Sequence, residues 1–309
     1  MKVVMAGGTG LIGTALTHAL AGAGGEVIVL TRRPVDTVRG LPPGARPVRW
    51  APELPGGGWA EALAGADGVV NLAGASVGGG PWTDGRVREI LDSRVRATSA
   101  LVAAMASLPA DARPGALLSA SGVDYYGERG DEVLDEASAP GDGAVLAGVC
   151  ARWEAAAREA EPLGVRTVLL RTGLVLARGA AALRLMALPF RLFVGGRTGS
   201  GRQWVSWVHL DDVVGLYGLA LRDREVSGPL NVVAPGPVRQ AELAAEIGRT
   251  LHRPVWLPQP APLLRLALRR QAELLLVGHR VVPAAAMGRR YEFRQPALGP
   301  ALADALGRR

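Results

Sequence analysis

Short apolar runs alternate with longer stretches of helical spacing along this chain. Lys2–Ala6 (KVVMA) is an apolar run closed by glycines, the pattern of a strand covered on both faces. Residues 11–23 carry helical spacing and stop at Gly24-Gly25, and Glu26–Thr31 (EVIVLT) reads as a second strand. Strand, tight turn, helix and strand in that order predict a parallel crossover unit. The alternation continues, with strands expected over 68–73, 116–121, 165–171 and 229–233 and helices over Asp84–Ser107, 146–160 and 211–221. Residues 39–58, rich in Pro and Gly, read as a loop with a strand near 47–50. The fold class this implies is α/β: a doubly wound parallel sheet of the Rossmann type. Beyond Pro235-Gly-Pro237 the pattern changes to a helix over Gln240–Leu251, four closely spaced prolines, then more helix. The chain therefore divides into a nucleotide-binding domain over 1–238 and a small, mainly helical C-terminal subdomain over 239–309.

Composition narrows the function classes. The chain has 309 residues and is 49% hydrophobic, enough for a large core. Its net charge is +7, but the basic residues are spread out, without a run of five or six, and Lys2 is the one lysine. That distribution describes a solvated surface, with no nucleic-acid partner expected. Leu263, Leu264 and their apolar neighbours are interrupted by Arg265, Arg269, Arg270 and Glu273, so no membrane partner is expected either. Cys150 is the one cysteine, which excludes an internal disulfide and, with no signal-peptide pattern after Met1, fits a reducing cytoplasm. No His/Cys/Asp/Glu grouping has metal-ligand spacing, and no Gly-x-Ser-x-Gly elbow is present. The oligomeric state is not legible.

The chemistry begins at Gly7-Gly-Thr-Gly-Leu-Ile-Gly13, between a predicted strand and a predicted helix. Glycines there let backbone approach a pyrophosphate, and the helix start offers free N–H groups and a favourable dipole. Gly7, Thr9, Gly10, Leu11, Ile12 and Gly13 are the candidate phosphate-binding residues. The second strand ends Thr31-Arg32-Arg33, where a carboxylate would suit a ribose 2′-hydroxyl and an arginine suits a 2′-phosphate. Arg32, and after it Arg33, therefore point to NADP(H) over NAD(H).

The order of GGTGLIG, Asn71-Leu-Ala-Gly-Ala75, Ser119-Ala-Ser-Gly122 with Tyr125-Tyr-Gly127, Arg171-Thr-Gly-Leu-Val175 and Trp207-Val-His-Leu-Asp-Asp212 resembles that of an extended short-chain dehydrogenase/reductase. This is the NAD-dependent epimerase/dehydratase superfamily. PWTDGRVREILDSRV (81–95), GSGRQWVSWVHLDDVVG (199–215) and GPLNVVAPGPV (228–238) are similar to its atypical branch, the epimerase-family proteins with a small C-terminal domain of unknown function. The resemblance implies that Asn71, Leu72, Ala73 and Gly74 line the nicotinamide-ribose side. It also implies that Arg171, Gly173 and Leu174 run beside the nicotinamide, and that residues 179–204 cover the substrate.

Typical members carry Tyr-x-x-x-Lys on the helix that follows the serine strand. Aligned on Trp153-Glu154, the tyrosine position holds Leu146 and the lysine position Cys150. The usual proton donor is therefore missing. Tyr125 is the candidate acid, or else packs its ring on the cofactor; Ser119 and Ser121 are candidate catalytic residues for orientation, and Ser119 is also a candidate cofactor contact. Arg94, on the long helix, either takes over the missing lysine's charge or is a surface residue. His209 either titrates in the site or serves as a hydrogen-bonder at a helix start. Cys150 reads as a small buried apolar residue and Glu154 as part of a polar helix face. Arg197, Arg202, Gln203 and Trp204, in a glycine-punctuated loop, suit an anionic ligand or face solvent. The first reading is an NADP(H)-dependent oxidoreductase or epimerase-like enzyme acting on a small molecule. The alternative is an NADP(H)-binding or redox-sensing protein without turnover.

Overall fold

The computed structural model describes residues 1–53 and 58–307; part of the expected 39–58 loop lies outside the described residues. Seven parallel strands form the central sheet: β1 (Lys2–Ala6), β2 (Glu26–Thr31), β3 (Ala45–Arg49), β4 (Gly68–Asn71), β5 (Ala116–Gly122), β6 (Arg166–Thr172) and β7 (Gly228–Val232). Their order is β7-β6-β5-β4-β1-β2-β3, so the winding reverses between β1 and β4. In such sheets ligands bind beyond the strand carboxyl ends at that switch point. The expected strands are all present, shifted at their ends by a few residues at most; β4 stops at Asn71 because the next residues leave the ladder as a loop.

Side-chain alternation divides the sheet's two faces. Val3 and Met5 of β1 pack on the face covered by α1 (Leu11–Gly22) and α5 (Leu210–Arg222). Val4 and Ala6 pack on the opposite face, beneath α2 (Asp84–Ser107) and α3 (Val145–Arg158). α2 starts where Thr83 accepts a hydrogen bond from the Arg86 amide at 3.1 Å, an N-cap.

A third core joins α4 (Ala181–Arg191), α6 (Gln240–Leu251) and a C-terminal helix, Leu298–Leu306. Leu183, Ala187 and Phe190 meet Leu243, Ile247 and Leu302 there, together with Trp207. The expected cover segment is thus partly helical, and it supplies Ala180, Leu183, Ala187 and Phe190 to that core. Arg280–Val281 also pairs in parallel with Val133–Leu134, tying the C-terminal region to the loop that follows β5.

Candidate nucleotide site

Gly7 has φ +81°, and a Cβ on it would lie 2.7 Å from the Leu72 carbonyl carbon. A Cβ on Gly13 would lie 2.6 Å from Gly8 Cα. The first glycine lets the turn after β1 touch the loop after β4; the second brings α1 against that turn. No side chain caps α1 at Gly10, so the amides of Leu11, Ile12 and Gly13 remain as the free donors of the helix start. Thr9 and Leu11 are exposed at the rim, and Ile12 anchors the turn in the core. A cleft of about 680 Å³ runs from Gly7, Thr9 and Gly10 past Arg32 and Arg33 to Ala73, Gly74 and Ser93. Both arginines are exposed at the end of β2; Arg49 donates to the Arg32 carbonyl.

The far wall is built from α2. Asn71 is fully buried: its amide donates to Thr98 Oγ1 at 2.8 Å, and its Oδ1 accepts from the Ala73 amide at 3.2 Å. Its side chain shapes the Leu72–Gly74 loop from within rather than reaching the cleft. Ser93 Oγ accepts from the Ala75 amide at 2.9 Å. Arg94 donates to the Ala75 and Ile90 carbonyls, both at 3.0 Å, and lies 4.9 Å over the Trp153 ring. It is half-buried beside Gly74, and burial lowers its pKa. Of the two readings offered for it, a surface arginine does not match this placement.

Several expected contacts are turned inward. Arg171 is buried; its Nε and Nη2 donate to the two Glu154 oxygens, each at 2.9 Å, and its Nη1 donates to Tyr126 Oη at 2.9 Å. Burial works against its charge, but the Glu154 hydrogen bonds outweigh it and hold the guanidinium above its ordinary pKa. Arg171 is therefore not free to hold a cofactor through its side chain. Glu154, expected on a polar helix face, is 3% exposed, because an arginine inside a sheet needs a carboxylate beside it. Ser121 Oγ donates to Glu154 Oε1 at 2.7 Å, and Ser119 is fully buried. Neither serine hydroxyl is presented to the cleft as a substrate-orienting group. Tyr126 donates to Asn231 Oδ1 at 2.7 Å, which closes the network across the sheet. Tyr125 is half-buried with its ring 3.5 Å from the Arg171 guanidinium carbon. Gly173 passes so close to the Ser206 backbone that a Cβ there would lie 3.0 Å from its carbonyl carbon, and Leu174 after it begins a short parallel ladder with Trp207.

On α3, Leu146 and Cys150 are buried. Burial, with the Asp124 carboxylate adding to it, pushes the Cys150 thiol up to about 12. His209 caps α5, with Nδ1 facing the Asp211 amide at 3.3 Å and Nε2 facing Asp304 Oδ2 at 3.2 Å; it is the helix-start hydrogen-bonder. Gln203 donates to the Thr198 and Leu275 carbonyls, and Trp204 donates to Asp131, with the Arg239 and Arg280 guanidinium groups both against its ring. These two residues organise the loop, while Arg197 and Arg202 are exposed.

Two residues absent from the sequence candidates stand at this edge. Asp124 Oδ2 lies 3.1 Å from where a Cβ on Gly122 would be, and Cys150 Sγ lies 3.5 Å from that point. His279, from the C-terminal region, places Nε2 3.6 Å from Asp124 Oδ1. Asp124 sits inside the serine-strand motif, where its carboxylate is legible; His279 is far away in sequence and carries no local signal. No group of three or more His, Cys, Asp or Glu side chains able to hold a metal occurs among the described residues.

A glycine turn opening an uncapped helix at the switch point of a parallel sheet defines a nucleotide-binding α/β protein. The chain belongs to the NAD-dependent epimerase/dehydratase family, whose model matches residues 3–233; residues 259–305 match a domain of unknown function, DUF1731. It is 38% identical over 307 residues to epimerase family protein Mb2239 of Mycobacterium bovis, covering 99% of this chain and 98% of that one. It is 36% identical over 307 residues to human epimerase family protein SDR39U1, covering 98% and 99%. A crystal structure of the human protein (isoform 2) with NADPH superposes at TM-score 0.83, with 35% identity and 99% of each chain covered.

Proposed function

We propose that this protein binds NADP(H) and acts as an oxidoreductase or epimerase-like enzyme on a small molecule. The observation that carries this reading is the uncapped start of α1 facing the long cleft, with Arg32 and Arg33 at its rim. The residues present fit a dinucleotide: the Leu11, Ile12 and Gly13 amides suit the pyrophosphate, and Gly7 leaves backbone room beside Leu72. Arg32 suits a 2′-phosphate through charge-assisted hydrogen bonds. The human relative solved with NADPH supports the same choice. When bound, the nicotinamide supplies a hydride acceptor or donor.

The chain's own residues then hold and enclose. The Leu72–Gly74 loop, fixed from below by Asn71, lets a ribose approach closely. Arg94 and Ser93 fix the following backbone at Ala75. Leu146 and Cys150 make that stretch of α3 apolar, which favours the non-catalytic reading in one respect: neither donates a proton. Titration with NADPH and NADH, followed by nicotinamide fluorescence, tests both. The expected outcome is tighter binding of NADPH, with Arg32→Ala weakening NADPH about tenfold or more and NADH little. Equal binding of the two cofactors removes the NADP(H) preference, and no binding of either removes the oxidoreductase reading. Turnover of bound NADPH by a carbonyl compound separates the enzyme from the sensor.

A further inference from the structure

We propose that Asp124, held by His279 of the C-terminal region, is the proton-transferring group of this site, in place of the tyrosine and lysine that α3 lacks. This rests on the nicotinamide-dependent reading above. Gly122 ends β5 at the carboxyl edge of the sheet, and its missing side chain leaves room that the Asp124 carboxylate fills, 3.1 Å from the Cβ position. The carboxylate shares the space above Gly122 with Cys150, at the position where the resemblance places the lysine, and remains partly open to solvent.

His279 is itself fixed in place beside it. Its backbone carbonyl accepts from Ser206 Oγ at 2.6 Å, and the same hydroxyl accepts from the Val281 amide at 2.9 Å. Its Nδ1 lies 2.9 Å from the Gly127 carbonyl, which accepts only, so Nδ1 carries a proton. That tautomer turns the lone pair of Nε2 towards Asp124 Oδ1 at 3.6 Å. Two acceptors facing one another are favourable only when they share a proton, directly or through one water. Arg94 and Cys150 also lie close enough to feel the Asp124 charge. The Asp124 charge stabilises the Arg94 guanidinium, and the thiol, pushed up by burial, is neutral.

In the oxidative direction the step balances. The substrate C–H bond breaks and its electron pair leaves with the hydride to the oxidised nicotinamide. The shared proton has already left to solvent on binding of the oxidised cofactor; the substrate O–H bond then breaks, its proton goes to the Asp124 carboxylate, and its electron pair forms the C=O bond. The proton then moves from Asp124 to His279 Nε2. Reduction reverses each movement.

The test uses the full chain and needs no substrate. Calorimetry in two buffers of different ionisation enthalpy counts the protons released when NADP⁺ or NADPH binds, between about pH 5 and pH 8 where imidazole changes charge. A positive ring beside the shared proton expels it, so NADP⁺ is expected to release more protons than NADPH. Asp124→Asn abolishes that difference while cofactor still binds; His279→Gln diminishes it, and Asp124→Ser serves as a second variant should the first misfold. In addition, ¹⁵N imidazole spectra of the wild type without cofactor are expected to show Nδ1 protonated and Nε2 sensitive to Asp124→Asn. Cofactor binding with equal proton release in wild type and both Asp124 variants overturns this inference and leaves the cofactor reading standing. Failure of either cofactor to bind overturns both.

Discussion

Glu154 shows what a single buried charge demands. Its carboxylate receives two guanidinium hydrogen bonds from Arg171 and one from Ser121, all out of contact with water. Removing it leaves Arg171 charged in the interior, so Glu154→Ala is expected to cost about 3–5 kcal/mol in urea denaturation. Two further residues link stability to pH. Burial raises the Cys150 thiol from 9.0 and the Tyr126 hydroxyl from 10.0, each to about 12. Both are neutral in the fold, so their contribution is fully present below the unfolded values. It is lost as pH climbs through the folded ones, and the melting temperature should fall between about pH 9 and pH 12. Cys150→Ala should make that fall shallower; an unchanged slope would mean the thiol plays no part. At this scale the sequence showed less than it held. Arg171 sits in the otherwise apolar run VRTVLLR, and an arginine in a buried strand already asks for an acidic partner. Which carboxylate answers depends on α3 crossing that strand, and spacing alone does not reveal it.

Elements were far more legible than pairings. Lys2–Ala6, Glu26–Thr31, Asp84–Ser107 and Gln240–Leu251 are bounded as their periodicity and breakers predict, because apolar spacing and glycine punctuation act locally. The glycine turn is likewise local, and its consequence can be measured. Gly13→Val drives a side chain into the Gly8 backbone, so α1 must move away from the turn. The expected outcome is a stability loss of about 1–3 kcal/mol together with loss of nicotinamide-fluorescence enhancement. Retained binding would show that the α1 amides are not the phosphate site. The short ladders at 133–134 with 280–281 and at 204–205 with 238–239 were not legible, since two-residue strands are fixed by what surrounds them.

Across the whole molecule, the C-terminal region does not pack as an appendage. Asp212 at the start of α5 accepts from the Arg294 and Gln295 amides and from Tyr291, and Asn231 on β7 donates to the Val282 carbonyl. Ile247 is buried against residues drawn from both sides of position 238. Ile247→Ala should therefore cost about 2–5 kcal/mol and lower one cooperative transition rather than a separate subdomain melt. Two transitions in calorimetry would contradict this.

That arrangement imposes an order on synthesis. A chain made from its N-terminus can assemble the sheet while its last residues are still inside the ribosome. Leu183, Phe190 and Trp207 then wait uncovered until Leu243, Ile247 and finally Leu302 emerge. The nascent protein passes through a stage with its sheet formed and a greasy flank open, and that is the stage a chaperone would meet.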